Sequence, residues 1–220
     1  MEVSTAYSIP PVSELRGITV RYLTEVETQS IRLKKISLSE ERVAREKMHS
    51  IFSGNSRETF DLKAGEYMVL SDLVQKEIIM SDTPMEVRTN YDFIRRANGN
   101  ILIAGFGIGM IVLAIQDNPL VESITIIEKN PEIIDMVASQ LPLNSKVKIL
   151  NADIFDWPAK AQNKKWDCIY FDIWNVVSVE AYEESKILHL KYSRLVNRKN
   201  PNFLFDSWRR YDMKRLHLGY

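Results

Sequence analysis

Three glycines at alternate positions, Gly105, Gly107 and Gly109, follow the apolar run Ile101-Leu102-Ile103-Ala104 and precede another that begins at Met110. Residues without a Cβ let the backbone turn sharply and approach a ligand closely. In an open α/β sheet such a turn lies at the carboxyl end of the first strand, where nucleotide-like ligands bind. Met110 stands where a dinucleotide fingerprint has its third glycine, so the turn suits a nucleotide pocket but makes a poor NAD motif. Three acids then close later apolar runs. Glu128, 23 residues after Gly105, can accept hydrogen bonds from both hydroxyls of an adenosine ribose; its plain alternative is a surface Glu ahead of Lys129-Asn130-Pro131. Asp153 can accept the exocyclic amine of adenine while Ile154 packs on the ring, or it can cap a turn. Asp172 is placed to face the reacting end of a bound ligand, where a carboxylate orients or deprotonates an amine or hydroxyl. Trp174 can stack on a planar or cationic substrate, or belong to the core.

These residues need elements to hold them. After Pro84, which opens a predicted helix through about Arg96, Asn98-Gly99 breaks the chain and an alternation begins. Strand Ile101–Ala104, a short helix to about Asp117, strand Ile124–Glu128, a helix from about Pro131 to Gln140, strand Lys146–Leu150 and strand Asp167–Phe171 follow in order. This βαβαβ rhythm predicts a Rossmann-like, doubly wound, mostly parallel α/β sheet. The fourth strand should neighbour the first across the switch point, bringing Asp172 beside the glycine turn. A helix from about Val179 to Asn197 and a strand over 202–205 complete the domain. Before it, Gly17–Leu23 is a β-favouring patch, Ser39 is a candidate cap for a helix from about Glu40 to Phe52, and Ser53-Gly54-Asn55-Ser56 breaks that helix. Runs at Glu66–Leu70 and Gln75–Met80 around a polar turn predict a β-hairpin. The expected division is an N-terminal α+β extension over 1–83 and a cofactor-binding unit over 84–220.

The set Gly105–Gly109, Glu128, Asp153 and Asp172 resembles the class I S-adenosylmethionine-dependent methyltransferases. Val69-Leu70-Ser71-Asp72-Leu73-Val74-Gln75, Ile126–Ile134 and Trp166–Asp172 are similar to the spermidine synthase branch, and the resemblance covers about Tyr67 to Asn175. It implies S-adenosylmethionine as cofactor, held by Gly105, Gly107, Gly109, Glu128, Asp153 and Ile154. It also implies Asp172 as the catalytic carboxylate, with Gln75, Trp174 and Asn175 on the substrate side. Methyl transfer from a sulfonium releases a neutral leaving group, so positioning the nucleophile supplies most of the acceleration. The departures bear on the substrate. Asn175 and Val176 replace the second acid and the proline of the aminopropyltransferase motif Asp-x-x-Asp-Pro. Ser81-Asp82-Thr83-Pro84-Met85-Glu86 stands where that branch has Tyr-His-Glu, which argues against a polyamine. Only 48 residues follow Asp172, so the sheet is expected to stop at about five strands. The alternatives are an aminopropyltransferase, a nicotinamide enzyme, and a non-catalytic protein of the same fold acting through an oligomer interface.

Composition narrows the class. Hydrophobic residues make up 45% and charged residues 26% of 220, as in a soluble globular protein. The lone Cys168 excludes an intramolecular disulfide. His49, His189 and His217 lie outside the motifs, so neither a metal centre nor a serine–histidine hydrolase is expected. The uncharged run from Ala97 to Gln116 approaches the length of a membrane span, but its three glycines favour strand–turn–helix. With no basic-then-apolar pattern at Met1–Thr5, a cytoplasmic protein acting on a small molecule is expected. Net charge is zero, yet nine Lys/Arg meet only Asp206 and Asp212 from Lys186 to Tyr220, a local +7. Lys191, Arg194 and Arg198 would share one helical face. Such a tail attracts nucleic acid or docks on the acidic body or a second subunit; with no nucleic-acid module beside it, docking is the expectation.

Overall fold

The computed structural model describes residues 8–52, 62–158 and 164–220. The first part of the chain contributes α1 (Val12–Leu15), β1 (Val26–Glu27), β2 (Ile31–Leu38), α2 (Glu40–Phe52), β3 (Gly65–Asp72) and β4 (Glu77–Ser81), and the four strands form an antiparallel sheet in chain order. The expected hairpin is β3–β4, with its first strand longer, its second starting two residues later, and its turn at 73–76. Gly17–Leu23 is not a strand. Thr19–Arg21 is a single 3-10 turn, because the Thr19 N–H and hydroxyl both donate to the buried Asp82 carboxylate, at 3.0 and 2.6 Å. That bond joins residues 63 apart, so local β preference loses to a tertiary contact. The break expected at Ser53–Ser56 lies outside the described residues.

Next come α3 (Pro84–Arg96), β5 (Gly99–Ala104), α4 (Met110–Ile115) and β6 (Val121–Glu128). The segment α5 starts as Pro131–Ile133 and widens into a π turn over Ile134–Ala138, where a plain helix to Gln140 is expected from sequence. Then follow β7 (Val147–Asn151), β8 (Cys168–Phe171), α6 (Val179–Tyr192), β9 (Leu204–Ser207) and α7 (Arg210–His217). Pro84 sits where its missing N–H costs nothing, and Val87, Asn90, Phe93 and Ile94 put one face of α3 into the core. Five strands pair in the order β7-β6-β5-β8-β9, every pair parallel, with β5 and β8 adjacent. The strands read as continuous apolar runs because both faces are covered. Ile101 and Ile103 join one core with α3 and α4, while Leu102 and Ala104 join the other with Leu188 and Tyr192 of α6. Each such buried aliphatic side chain contributes about 1.5–3 kcal/mol.

The basic tail does not form one helical stripe. α6 ends at Tyr192, Arg194 lies in a 3-10 turn, and Arg198 leaves the helix to stack over Phe203. Lys191 turns inward to the Phe155 carbonyl. Further on, α7 packs against α6 of its own chain: Met213 is fully buried, Arg210 lies over Tyr182, and His217 approaches Glu183 at 3.4 Å. Among the described residues no helix is long and apolar enough to cross a membrane.

Candidate functional site

A cavity of about 420 Å³ opens at the carboxyl ends of β5, β6 and β8 and beside the loop that follows β7. This is the crevice where strand order reverses, the usual ligand position in an open α/β sheet. Gly105, Gly107, Glu128, Asp153, Ile154, Asp172, Trp174 and Asn175 all line it. Residues more than forty apart in sequence converge there because four parallel strands end on one side.

The glycine turn is needed by the protein itself. Gly105 has φ +93, and a Cβ there would lie 2.0 Å from the Asp172 carbonyl oxygen. Gly107 has φ +51, and its Cβ would meet the Met80 sulfur at 2.2 Å. The Met80 side chain of β4 thus fills the space a Gly107 Cβ would take, and Gly107 itself lines the cavity. Gly109 does not line the cavity; it makes room for Leu141. Ile79 and Met80 give the cavity a wall that no motif in the sequence announces.

Glu128 is buried and already engaged. One carboxylate oxygen accepts the Phe106 N–H of the glycine turn and the other the Asn130 N–H, both at 2.8 Å. It also lines the cavity, so a ribose contact would be added to a bracing role. Asp153 combines both readings of its sequence: it caps a turn by accepting from the Phe155 N–H at 2.9 Å, and it pairs with Lys129 at 2.8 Å. The Lys129 ammonium is the first cause holding its carboxyl below the usual range.

Asp172 differs from both. Its backbone N–H bonds Ala104 in the sheet, while burial pushes its carboxyl up to about 7. Across from it stands Glu86, in the first turn of α3, which the sequence offered only as part of a missing signature. Burial pushes Glu86 up to about 8, the Asp172 charge adds to the rise, and the Arg209 charge opposes it. Among the described residues neither carboxyl has a hydrogen-bond partner. Beneath them Tyr170 donates to Asn90 at 2.8 Å and stacks on Phe93, its phenol held neutral by burial and the surrounding acids.

The substrate-side residues separate. Trp174 packs partly into both cores and donates its indole N–H to Glu184 at 2.8 Å, so its core and cavity readings coexist. Asn175 donates to Glu77 at 2.7 Å, tying the loop after β8 to the hairpin. Gln75 is exposed in the hairpin turn and outside the cavity lining, since the Asp72 carboxylate folds that turn back by accepting the Val74 and Gln75 N–H groups. The cavity thus carries five carboxyl groups (Glu86, Glu128, Asp153, Asp172, Glu184) and one ammonium, Lys129. Such a site favours hydroxyl and amine donors and positive charge.

Fold and site together define a doubly wound parallel α/β protein with an acidic crevice at its switch point. No protein-family model matches the chain, and no curated protein matches it. Solved structures similar to it include human methyltransferase-like protein 13 in complex with SAH, at 20% identity over 59% of this chain and 64% of that one, TM-score 0.41. The CcbJ methyltransferase from Streptomyces caelestis is similar at 12% identity over 51% and 45%, TM-score 0.40. Aeropyrum pernix fibrillarin with natively bound S-adenosyl-L-methionine is similar at 16% identity over 47% and 44%, TM-score 0.38. The chain spans about half the length of such structures.

Proposed function

We propose that the chain is an S-adenosylmethionine-dependent methyltransferase of the spermidine synthase-like branch, acting on a small molecule. The observation that carries this reading is the convergence of Gly105, Gly107, Glu128, Asp153, Ile154 and Asp172 on one crevice at the switch point. The residues fit the cofactor: Glu128 lines the cavity with a carboxylate that can accept further hydrogen bonds from hydroxyls, Ile154 gives an apolar surface, and the surplus of carboxylates suits a sulfonium. When bound, the cofactor supplies an electrophilic methyl group. Asp172 orients the acceptor nucleophile and takes its proton, and the hairpin wall at Ile79 and Met80 keeps water out. In this reading residues 1–83 are the extension that furnishes that wall and 84–220 the cofactor-binding unit.

Calorimetry with S-adenosylmethionine, its decarboxylated form and NAD tests the reading. Binding of the first with a clear preference supports it; preference for the decarboxylated form indicates aminopropyl transfer, and preference for NAD indicates a dehydrogenase. Once an acceptor is found, Asp172→Asn should keep cofactor affinity and lose turnover by about two to four orders of magnitude.

A further inference from the structure

The inner cavity and its mouth differ in chemistry. Inside, Glu86 and Asp172 line the space, and among the described residues neither carboxyl has a hydrogen-bond partner. At the mouth Asn175 reaches the Ile78 carbonyl as well as Glu77, which brings the loop after β8 against β4. Around that contact Ile78 is 61% exposed, Val176 57% and Ile173 36%, and Ile173 and Trp174 continue the apolar surface into the cavity. An acidic pair at the end of an apolar entrance is matched by a ligand that is cationic at one end and hydrocarbon at the other.

We infer that the acceptor is a monoamine on an apolar body, its nitrogen entering as an ammonium beside Glu86 and Asp172 and its hydrocarbon lying along Trp174, Ile173, Ile78 and Val176. The inference rests on the methyl-transfer reading above. Two carboxyls in one low-dielectric pocket resist double ionisation, so the pair keeps one proton and presents a single negative charge near neutrality. That charge matches one ammonium. A second ammonium, as in a diamine, would fall beside the exposed Ile78 and Val176, where the Glu77 carboxylate already accepts from Asn175. The charged groups around the pair are Arg209, whose charge acts on Glu86, Glu128 and Glu184 in the same lining, the Lys129–Asp153 pair, and Glu77 at the mouth. The ammonium N–H then breaks, its proton passes to a carboxylate oxygen of the pair, and the bonding electrons stay on nitrogen as the lone pair that attacks. The carboxylic acid later returns the proton to water. Glu86 is thus a second catalytic acid–base group beside Asp172.

The test is titration of the protein saturated with S-adenosylhomocysteine, using 2-phenylethylamine, 2-phenylethanol and 1,4-diaminobutane. The aryl amine is expected to bind at least tenfold tighter than either of the others at pH 8. Its affinity should rise from pH 6 to pH 7.5, as the pair loses its first proton, while the alcohol's stays flat. Glu86→Gln should lose tenfold or more for the amine, with S-adenosylhomocysteine affinity kept within twofold, and Glu86→Asp should restore the preference. Equal affinity for amine and alcohol, a flat pH profile, or preference for the diamine overturns the inference while leaving the cofactor reading intact. Absence of S-adenosylhomocysteine binding overturns that reading and the inference with it. If Glu86→Gln fails to fold, the amine–alcohol comparison across pH in the unaltered protein decides alone.

Discussion

The two sides of the cavity use the same residue type for opposite ends. On the β6–β7 side each carboxylate is spoken for: Glu128 by two backbone N–H groups, Asp153 by Lys129 and the Phe155 N–H. On the α3–β8 side Glu86 and Asp172 have neither hydrogen bond nor ion pair among the described residues, and burial raises both. A bonded carboxylate is a strut that fixes the shape of a ligand's seat. An unbonded one is energetically costly in the free protein, and such cost is retained where a proton must move. The glycine turn sits between the two sides and is fixed by both, against the Asp172 carbonyl on one and through the Phe106 N–H to Glu128 on the other.

The largest effect should come from the turn. Gly105→Ala places a Cβ on the Asp172 carbonyl and asks an L-residue to hold φ +93, with an expected loss of about 3–5 kcal/mol in denaturant unfolding from strain and overpacking together. Gly219→Ala is the control, since φ +76 there faces open space; a loss near about 1 kcal/mol isolates the backbone part. Equal losses at the two sites would mean that the turn is not wedged against β8.

Next in size is the strut. Glu128→Ala leaves the Phe106 and Asn130 N–H groups without their acceptor, and should cost about 2–4 kcal/mol of stability as well as cofactor affinity. Loss of affinity with unchanged stability would make Glu128 a ligand contact alone and erase the contrast with Asp172.

The unbonded side should behave in the reverse sense. Asp172 and Glu86 carry folded-state values of about 7 and about 8, above those of an unfolded chain near about 4. Their protonated forms favour the fold, so stability is full below the unfolded values and declines as pH rises through the folded ones. Asp172→Asn and Glu86→Gln should therefore raise the melting temperature at pH 8.5 and leave it unchanged at pH 4. Destabilisation at high pH would show that these carboxylates are bonded after all. The smallest effect is expected at Gln75: Gln75→Ala should change affinity for cofactor or any acceptor by less than twofold, because the residue stands outside the cavity.

Local pattern made much of this protein legible without coordinates. Apolar runs broken by Gly, Pro and Asn give the alternating strands and helices, Pro84 and Arg96 bound α3, and the spacing of Gly105, Glu128, Asp153 and Asp172 puts each at a strand end. Period, turn chemistry and order of elements are properties of neighbouring residues, and the right-handed parallel crossover does the rest. Only the tertiary structure decided what those residues touch. Thr19 turns helical for Asp82, the glycines make way for Asp172, Met80 and Leu141, the tail folds onto Tyr182 and Glu183, and Glu86 joins Asp172 from a helix that no motif marks. Such contacts join residues tens of positions apart, so no local window contains them. Whether a carboxylate is a strut or a proton carrier depends on the donors that surround it, and those arrive only when the chain has closed.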